Sequence, residues 1–441
     1  MLAHRRAPLI LLLVVCAIGV GARSFNLGIP PKGPGGAGTI FDEAYYVSAA
    51  RLIAGVPMSP GERYFRAAPA GTDPNAEHPQ LAKMVIAAAI EVGGDNATAW
   101  RATAVAFALA ALLLLYWLVR CAGGGPWLAL GTTALASFEN LWLVSGRIAV
   151  LDIYCVPFML AGVGFYLRRR PIIAGLLVAV GACFKEVAML AVAVVLALEA
   201  LRALRWLASG RATQPSLRRM ARPLITVLVS VVAFASLLAI LDAAVTPYSG
   251  GHPVNSGQGA LCDDLLLWKG SCNHIAFMLN YASKLRSTGG PRGIASYPWQ
   301  FWADVKQIPY FMERVTVSVN GHVERTSTTV YFRGLISRVL LFTSWAAILA
   351  SIWWAFRRRE EISFLVIAWV VGTWLPVEAL SLFESRTSYL YYMVITMPAL
   401  YIAVARLLAW PRIPRVAVAV WVALFLAEFV TLYPFRTLSG H

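Results

Sequence analysis

Long apolar runs alternate with short, arginine-bearing polar breaks along most of the chain. Counting runs near the roughly 20 residues that a spanning helix needs predicts about eleven transmembrane helices. They fall near 7-22, 99-119, 126-145, 148-167, 171-184, 186-201, 223-245, 335-356, 362-382, 389-409 and 416-433. The runs at 171-184 and 186-201 are short and meet at Lys185-Glu186, which reads as a broken or tilted pair. Arg5-Arg6 followed by the run Ala7 to Ala22 has the outline of a signal peptide; the polar segment that begins directly after it favours a retained anchor.

Two polar segments interrupt the pattern. The first, about 23-98, opens with a Gly/Pro-rich stretch from Gly28 to Gly38 that should be irregular. It then predicts helices at 42-54 and 79-91, the second with Pro79 in its first turn. Both are only half apolar and are expected to lie along the membrane surface. The second segment, 246-334, is rich in Trp and Tyr. Val315, Val317 and Val319 alternate with polar residues up to Asn320-Gly321, and a second alternating arm runs from Val323 to Tyr331, which predicts a β-hairpin. The expected fold is thus an all-α polytopic membrane protein in three parts: a transmembrane module 1-245, a cap 246-334 with one hairpin, and a second transmembrane module 335-441.

Composition agrees with this pattern and settles the orientation to expect. Of 441 residues 59% are hydrophobic and 14% charged, with a mean hydropathy of +0.66, whereas soluble domains carry roughly 25% charged residues. The net charge of +16 does not point to nucleic acid, because the basic residues sit in clusters between apolar runs rather than along a polar face. With the N-terminus inside, the inner breaks hold 18 basic residues against three acidic ones, Glu199, Glu360 and Glu361, while the remainder is nearly balanced. Positive-inside bias therefore places the N-terminus in the cytoplasm and both long polar segments outside; the plasma membrane is the expected location. Of six cysteines only Cys262 and Cys272 share a polar loop, where export would permit a disulfide; the others lie in or beside apolar runs.

Candidate chemistry gathers on the exported side. Phe41-Asp42-Glu43-Ala44-Tyr45-Tyr46 puts two adjacent carboxylates just beyond the first span. In one reading Asp42 caps a helix and Glu43 sits in its first turn; in the other, the helix start fixes a catalytic carboxylate. Arg147, Lys185 and Arg386 stand at the outer ends of separate helices with Asp152, Glu186 and Glu384 nearby. Singly they read as snorkelling side chains; together they suit a lipid-borne phosphate. His78 precedes the second surface helix. No HxxxH or CxxC spacing builds a metal site, and a divalent ion held by Asp42, Glu43 and His78 remains the only metal alternative. No Walker loop, GxGxxG on a strand or GxSxG is present. Glu139, Asp242, Glu378 and Glu428, in or near spans, are the material for a rival transport reading.

Four segments resemble the GT-C membrane glycosyltransferases, and among them the protein O-mannosyltransferase family that uses dolichyl-phosphate mannose. They are the acidic segment Phe41 to Tyr46; Glu77-His78-Pro79-Gln80-Leu81-Ala82-Lys83; Ser145-Gly146-Arg147-Ile148-Ala149-Val150-Leu151-Asp152; and Ser296-Tyr297-Pro298-Trp299-Gln300-Phe301-Trp302. Gln80 stands where the family has a second proline, Glu186 follows Lys185 where an aromatic is more familiar, and 246-334 is too short for the β-trefoil domain of the fungal and animal enzymes. The resemblance implies a prokaryotic-type inverting transferase. It would move a sugar, mannose by analogy, from a polyprenyl or dolichyl phosphate to a Ser or Thr hydroxyl of an exported polypeptide. It implies Asp42 as general base, with Glu43 orienting it or holding an ion, and Arg147, Arg386 and Lys185 on the donor phosphate. His78, Asp152, Glu186, Glu384, Tyr45, Trp299 and Trp302 would position substrates. The resemblance requires no nucleotide sugar, and a divalent metal remains an open alternative. Related transferases glycosylate lipids or envelope polymers, and a flippase for lipid-linked sugars is the rival from another class.

Overall fold

The computed structural model describes residues 2–32, 38–208, 217–256, 260–265, 267–319 and 322–434. Helices α1 (Leu2–Ser24), α2 (Glu43–Ile53), α3 (Leu81–Gly93), α4 (Ala97–Cys121), α5 (Pro126–Phe138), α6 (Asn140–Ser145), α7 (Asp152–Leu167), α8 (Pro171–Phe184), α9 (Leu190–Ala208) and α10 (Leu217–Ala244) come first. Then follow β1 (Tyr248–Ser249), β2 (His252–Pro253), α11 (Ala260–Asp263), α12 (Lys269–Lys284), β3 (Ile308–Val319) and β4 (His322–Gly334). Long helices return with α13 (Arg338–Trp353), α14 (Glu361–Thr373), α15 (Leu375–Glu384), α16 (Met397–Leu408) and α17 (Arg415–Leu432).

Seven stretches are long and apolar enough to cross a bilayer: Ala7–Ser24, Ala97–Cys121, Glu186–Ala208, Met220–Ala244, Arg338–Arg358, Glu361–Glu384 and Arg415–Leu432. Asp152–Leu167, Pro171–Phe184 and Met397–Leu408 are apolar but shorter. The expected count of eleven thus exceeds the seven that length and apolarity support among the described residues. Two causes are visible. The run 126-145 is cut at Glu139, whose extended backbone ends α5 and whose carboxylate accepts the Trp142 N–H at 2.9 Å to start α6. α7 buries 13 of its 16 residues, so protein rather than lipid surrounds it.

Large apolar side chains line the outside, among them Leu13 (66% exposed), Leu224 (67%), Val416 (74%) and Phe383 (83%). Facing water, such a shell would cost about 25 cal/mol per Å²; facing lipid, it costs nothing. Inside, helices approach closely: a Cβ on Gly372 of α14 would lie 2.5 Å from the Val194 nitrogen of α9. Only glycine permits that contact.

In the first polar segment both expected helices form, as α2 and α3, although α3 begins at Leu81 behind the N-cap Gln80. Pro79 therefore precedes the helix instead of opening it. α2 buries eight of its eleven residues, more than a helix lying on a membrane would. In the stretch 28–38, residues 33–37 fall outside the described residues, as does 209–216 of the basic segment 202–222. The hairpin is antiparallel from Ile308↔Gly334 to Val319↔His322 and longer than the valine alternation indicated. Its turn, Asn320-Gly321, lies outside the described residues. Cys262 and Cys272 are joined by a disulfide.

Candidate active site

The sequence before α2 contains a strained residue. Phe41 adopts φ +53°, a left-handed conformation that costs an aromatic residue about 1–3 kcal/mol and persists only where packing enforces it. The packing comes from two distant segments, with the Phe41 ring 4.9 Å from that of Tyr310 on β3 and 5.9 Å from Tyr391. Asp42 follows at the N-cap position, but its dihedrals are helical (φ −70°, ψ −5°) and its side chain makes no capping hydrogen bond. The capping role is not taken up. Among the described residues the Asp42 carboxylate has no ion pair or hydrogen bond.

Burial is the main influence on that carboxylate and pushes its pKa up from 3.8 to about 6, the nearby Asp152 raising it and Lys185, His78 and Arg63 opposing. Those four residues identify its neighbourhood. Lys185 sits at the break between α8 and the turn Glu186–Met189, its backbone extended (φ −156°). Its ammonium contacts Asp152 Oδ1 at 2.7 Å, both side chains being buried, and lies 5.4 Å from the ring centre of Tyr391 and 6.0 Å from that of Tyr392. His78 Nδ1 meets Glu186 at 2.9 Å, with the Tyr46 ring 6.1 Å away. Tyr45 is covered by the guanidinium of Arg63 at 3.4 Å. Arg386 is half-buried; it donates to the Ala282 carbonyl and lies within electrostatic reach of Tyr389 and Tyr392. The first polar segment, the α8–α9 break, the start of α7 and the 386–392 segment therefore converge around Asp42.

Other expected site residues lie elsewhere. Glu43 is fully buried and faces away from this cluster: it accepts from Arg101 Nη2 at 2.8 Å, from the Ile40 N–H at 2.8 Å and from the Ala149 N–H at 2.8 Å. Its two oxygens are already engaged by these three donors. His78 is likewise engaged by Glu186, and among the described residues no group of three His, Cys, Asp or Glu could bind a metal. Arg147 donates to the Phe25 carbonyl at 2.8 Å and, more weakly, to that of Asn26 at 3.4 Å, tying the end of α1 to the loop before α7. Glu384 is exposed and pairs with Arg286 at 2.9 Å. Trp302 is buried between Trp345 and Trp374, anchoring the 298–303 turn to α13 and α15. Trp299 is 42% exposed and stacks on Tyr297 at 4.2 Å.

Two features escaped sequence reading. Tyr389, Tyr391 and Tyr392 sit in a run that looks like the aromatic start of a span; three tyrosines within four residues were the signal. Arg101, inside an apolar run and carrying no motif, is the partner of Glu43. Two of the acids that suggested transport are tied into the structure: Glu139 accepts from Ser337 N at 3.0 Å and the Tyr401 hydroxyl at 3.0 Å, and Glu428 from Arg338 N at 2.9 Å; Glu378 keeps a buried carboxylate oxygen without a partner.

Comparison with known proteins defines the class. The described fold is similar to that of the S. cerevisiae protein O-mannosyltransferase Pmt1-Pmt2 complex bound to the sugar donor, with 11% identity, a TM-score of 0.65 and coverage of 98% of this chain and 90% of that one. It is also similar to the apo Archaeoglobus fulgidus oligosaccharyltransferase (14% identity, TM-score 0.56, 98% of this chain, 56% of that one). ArnT from Cupriavidus metallidurans bound to undecaprenyl phosphate is comparable (14%, 0.54, 95% and 62%). This chain thus spans less than two thirds of the latter two. No curated protein matches by sequence. The protein has the GT-C fold that these membrane enzymes share. Residues 85–240, about a third of the chain, match the family model "dolichyl-phosphate-mannose-protein mannosyltransferase".

Proposed function

We propose that the protein transfers a sugar, mannose by family, from a polyprenyl or dolichyl phosphate to a Ser or Thr hydroxyl of an exported polypeptide, with inversion. The observation that carries this reading is the unpaired Asp42 carboxylate, raised to about 6, beside a buried Lys185–Asp152 pair. A base must ionise near neutral pH and be free to accept a proton. In the reaction the acceptor oxygen bonds to the anomeric carbon while Asp42 takes its proton. The carbon–oxygen bond to the phosphate breaks, and the phosphate leaves with the electron pair. Lys185 and Arg386 supply positive charge for that leaving group. Arg147, whose Nη2 donates to the carbonyls of Phe25 and Asn26, supports the fold of the site instead. His78 and Glu186 line the site beside Asp42, and Trp299, exposed on the 298–303 turn, suits sugar or peptide contact. The transferase module is 1-245, with 246-334 as exported cap and 335-441 closing the bundle. The site faces outward from the plasma membrane.

The test is transfer of radiolabelled mannose from polyprenyl phosphate to a Ser/Thr peptide panel in membranes containing the protein. Label in peptide with wild type and none with Asp42→Asn supports the proposal. Label appearing only in lipid or glycan moves the acceptor to an envelope polymer, and equal labelling by Asp42→Asn overturns Asp42 as base.

A further inference from the structure

Next to the candidate site lies a buried polar cluster that the reaction does not use. His274 of α12 is fully buried, with Nδ1 2.8 Å from Asp242 Oδ1 at the end of α10 and Nε2 2.9 Å from the Ala76 carbonyl oxygen. The same Asp242 oxygen accepts from Gln80 Nε2 at 2.6 Å, and Gln80 donates further to the Val245 carbonyl at 3.1 Å. Asp242 Oδ2 has no partner, so Oδ1 carries the whole contact.

Counting protons defines the state of this cluster. The Ala76 carbonyl can only accept, so Nε2 carries a hydrogen. Nδ1 faces a carboxylate, which leaves two arrangements: an imidazolium beside an ionised Asp242, or a neutral ring accepting from a protonated Asp242. Both hold one proton more than a neutral ring beside an ionised acid, and removing it sets two lone pairs against each other without water. The other charged and titratable groups around the ring are Glu77 and the buried Asp73–Lys83 pair on the 73–83 segment, and Cys183 on α8, which lies within electrostatic reach of Asp242.

The two anchored points, Ala76 and Gln80, bracket His78, which meets Glu186 at 2.9 Å and lies within electrostatic reach of Asp42. Lys83 Nζ also donates to the His78 carbonyl at 2.8 Å. We propose that His274, sharing one proton with Asp242, is a positioning residue that clamps the 76–80 segment and so fixes His78 and Glu186 against Asp42. The clamp rests on the proposed transferase function for its catalytic meaning, not for its existence.

The experiment uses the full chain in membranes or detergent and has two readouts. In sugar transfer, His274→Ala should lower kcat roughly 10- to 100-fold, the usual effect of a group orienting another group, with a smaller change in KM for the lipid donor. Asp242→Asn, whose amide cannot with one atom both accept from Gln80 and donate to His274, should lower kcat in the same direction, again with a smaller change in KM. In hydrogen exchange, corrected for intrinsic rate, amides 76–83 should be protected in wild type and lose protection in His274→Ala and in Asp242→Asn. A kcat within twofold of wild type for His274→Ala, or unchanged exchange in His274→Ala, overturns the clamp. Should wild type transfer no sugar, the functional reading fails, and the exchange data still decide whether the clamp exists.

Discussion

Replacing Asp42 by asparagine should leave the protein inactive and more stable. The carboxyl titrates near 3.8 in an unfolded chain and at about 6 in the folded one. Its charged form is therefore disfavoured by folding, at about 1.4 kcal/mol for each pH unit of difference, or about 3 kcal/mol in total. The sign follows from proton binding: between pH 4 and 6 the folded state holds more protons than the unfolded state, so stability falls as pH rises through that window and stays low above it. Asparagine keeps the size and removes the charge. Its advantage over wild type should be about 3 kcal/mol at pH 7.5 and vanish near pH 4. Thermal unfolding in detergent, followed by tryptophan fluorescence at both pH values, reads this directly, alongside sugar transfer at pH 7.5. An asparagine variant that is no more stable than wild type at pH 7.5 would refute the assigned environment of Asp42. One that is stabilised but fully active would refute its role as base.

Further outcomes follow from the same geometry. Wild-type transfer should rise with pH through about 6 as Asp42 ionises, and a flat profile over pH 5–7 would count against proton removal by this group. Lys185→Ala strands Asp152, and breaking a buried pair costs about 3–5 kcal/mol; a lower melting temperature together with a raised KM for the lipid donor is expected. Glu43→Gln should impair folding more than Asp42→Asn does, since it leaves the buried Arg101 charge without its carboxylate; comparing folded yields by size-exclusion chromatography checks this. Removing the Cys262–Cys272 link with paired serines should cost about 2–3 kcal/mol by loop closure while kcat is preserved, because neither sulfur lies in the Asp42 cluster.

Apolar periodicity made the membrane class and most helix positions legible, because in lipid every backbone group must be satisfied within the helix. It could not show that Glu139 would cap a new helix and split a twenty-residue run, since a buried acid with three donors reads in sequence like a membrane-embedded charge. Asp42, His78, Lys185, Asp152 and Glu186, which the structure brings together, stand out in sequence because ionisable residues at helix ends are costly unless used. Glu43 and Arg147 share that signature but serve as struts; their partners, Arg101 and the carbonyls of Phe25 and Asn26, are remote or are backbone. Glu384 was misplaced for the opposite reason: its partner Arg286 holds it at the surface. The tyrosines at 389–392 were hidden because aromatic residues commonly mark the ends of spans.

The grip on Phe41 has an engineering consequence. Its ring is wedged between the root of the β3–β4 hairpin and the 390–395 turn, so the aim of the adjacent acid is dictated by side chains far along the chain. Grafting the acidic segment alone onto another scaffold would import the carboxylate without its bearing. Conversely, a chimera that exchanges only the hairpin root would re-aim Asp42 while leaving every residue of the first polar segment unaltered.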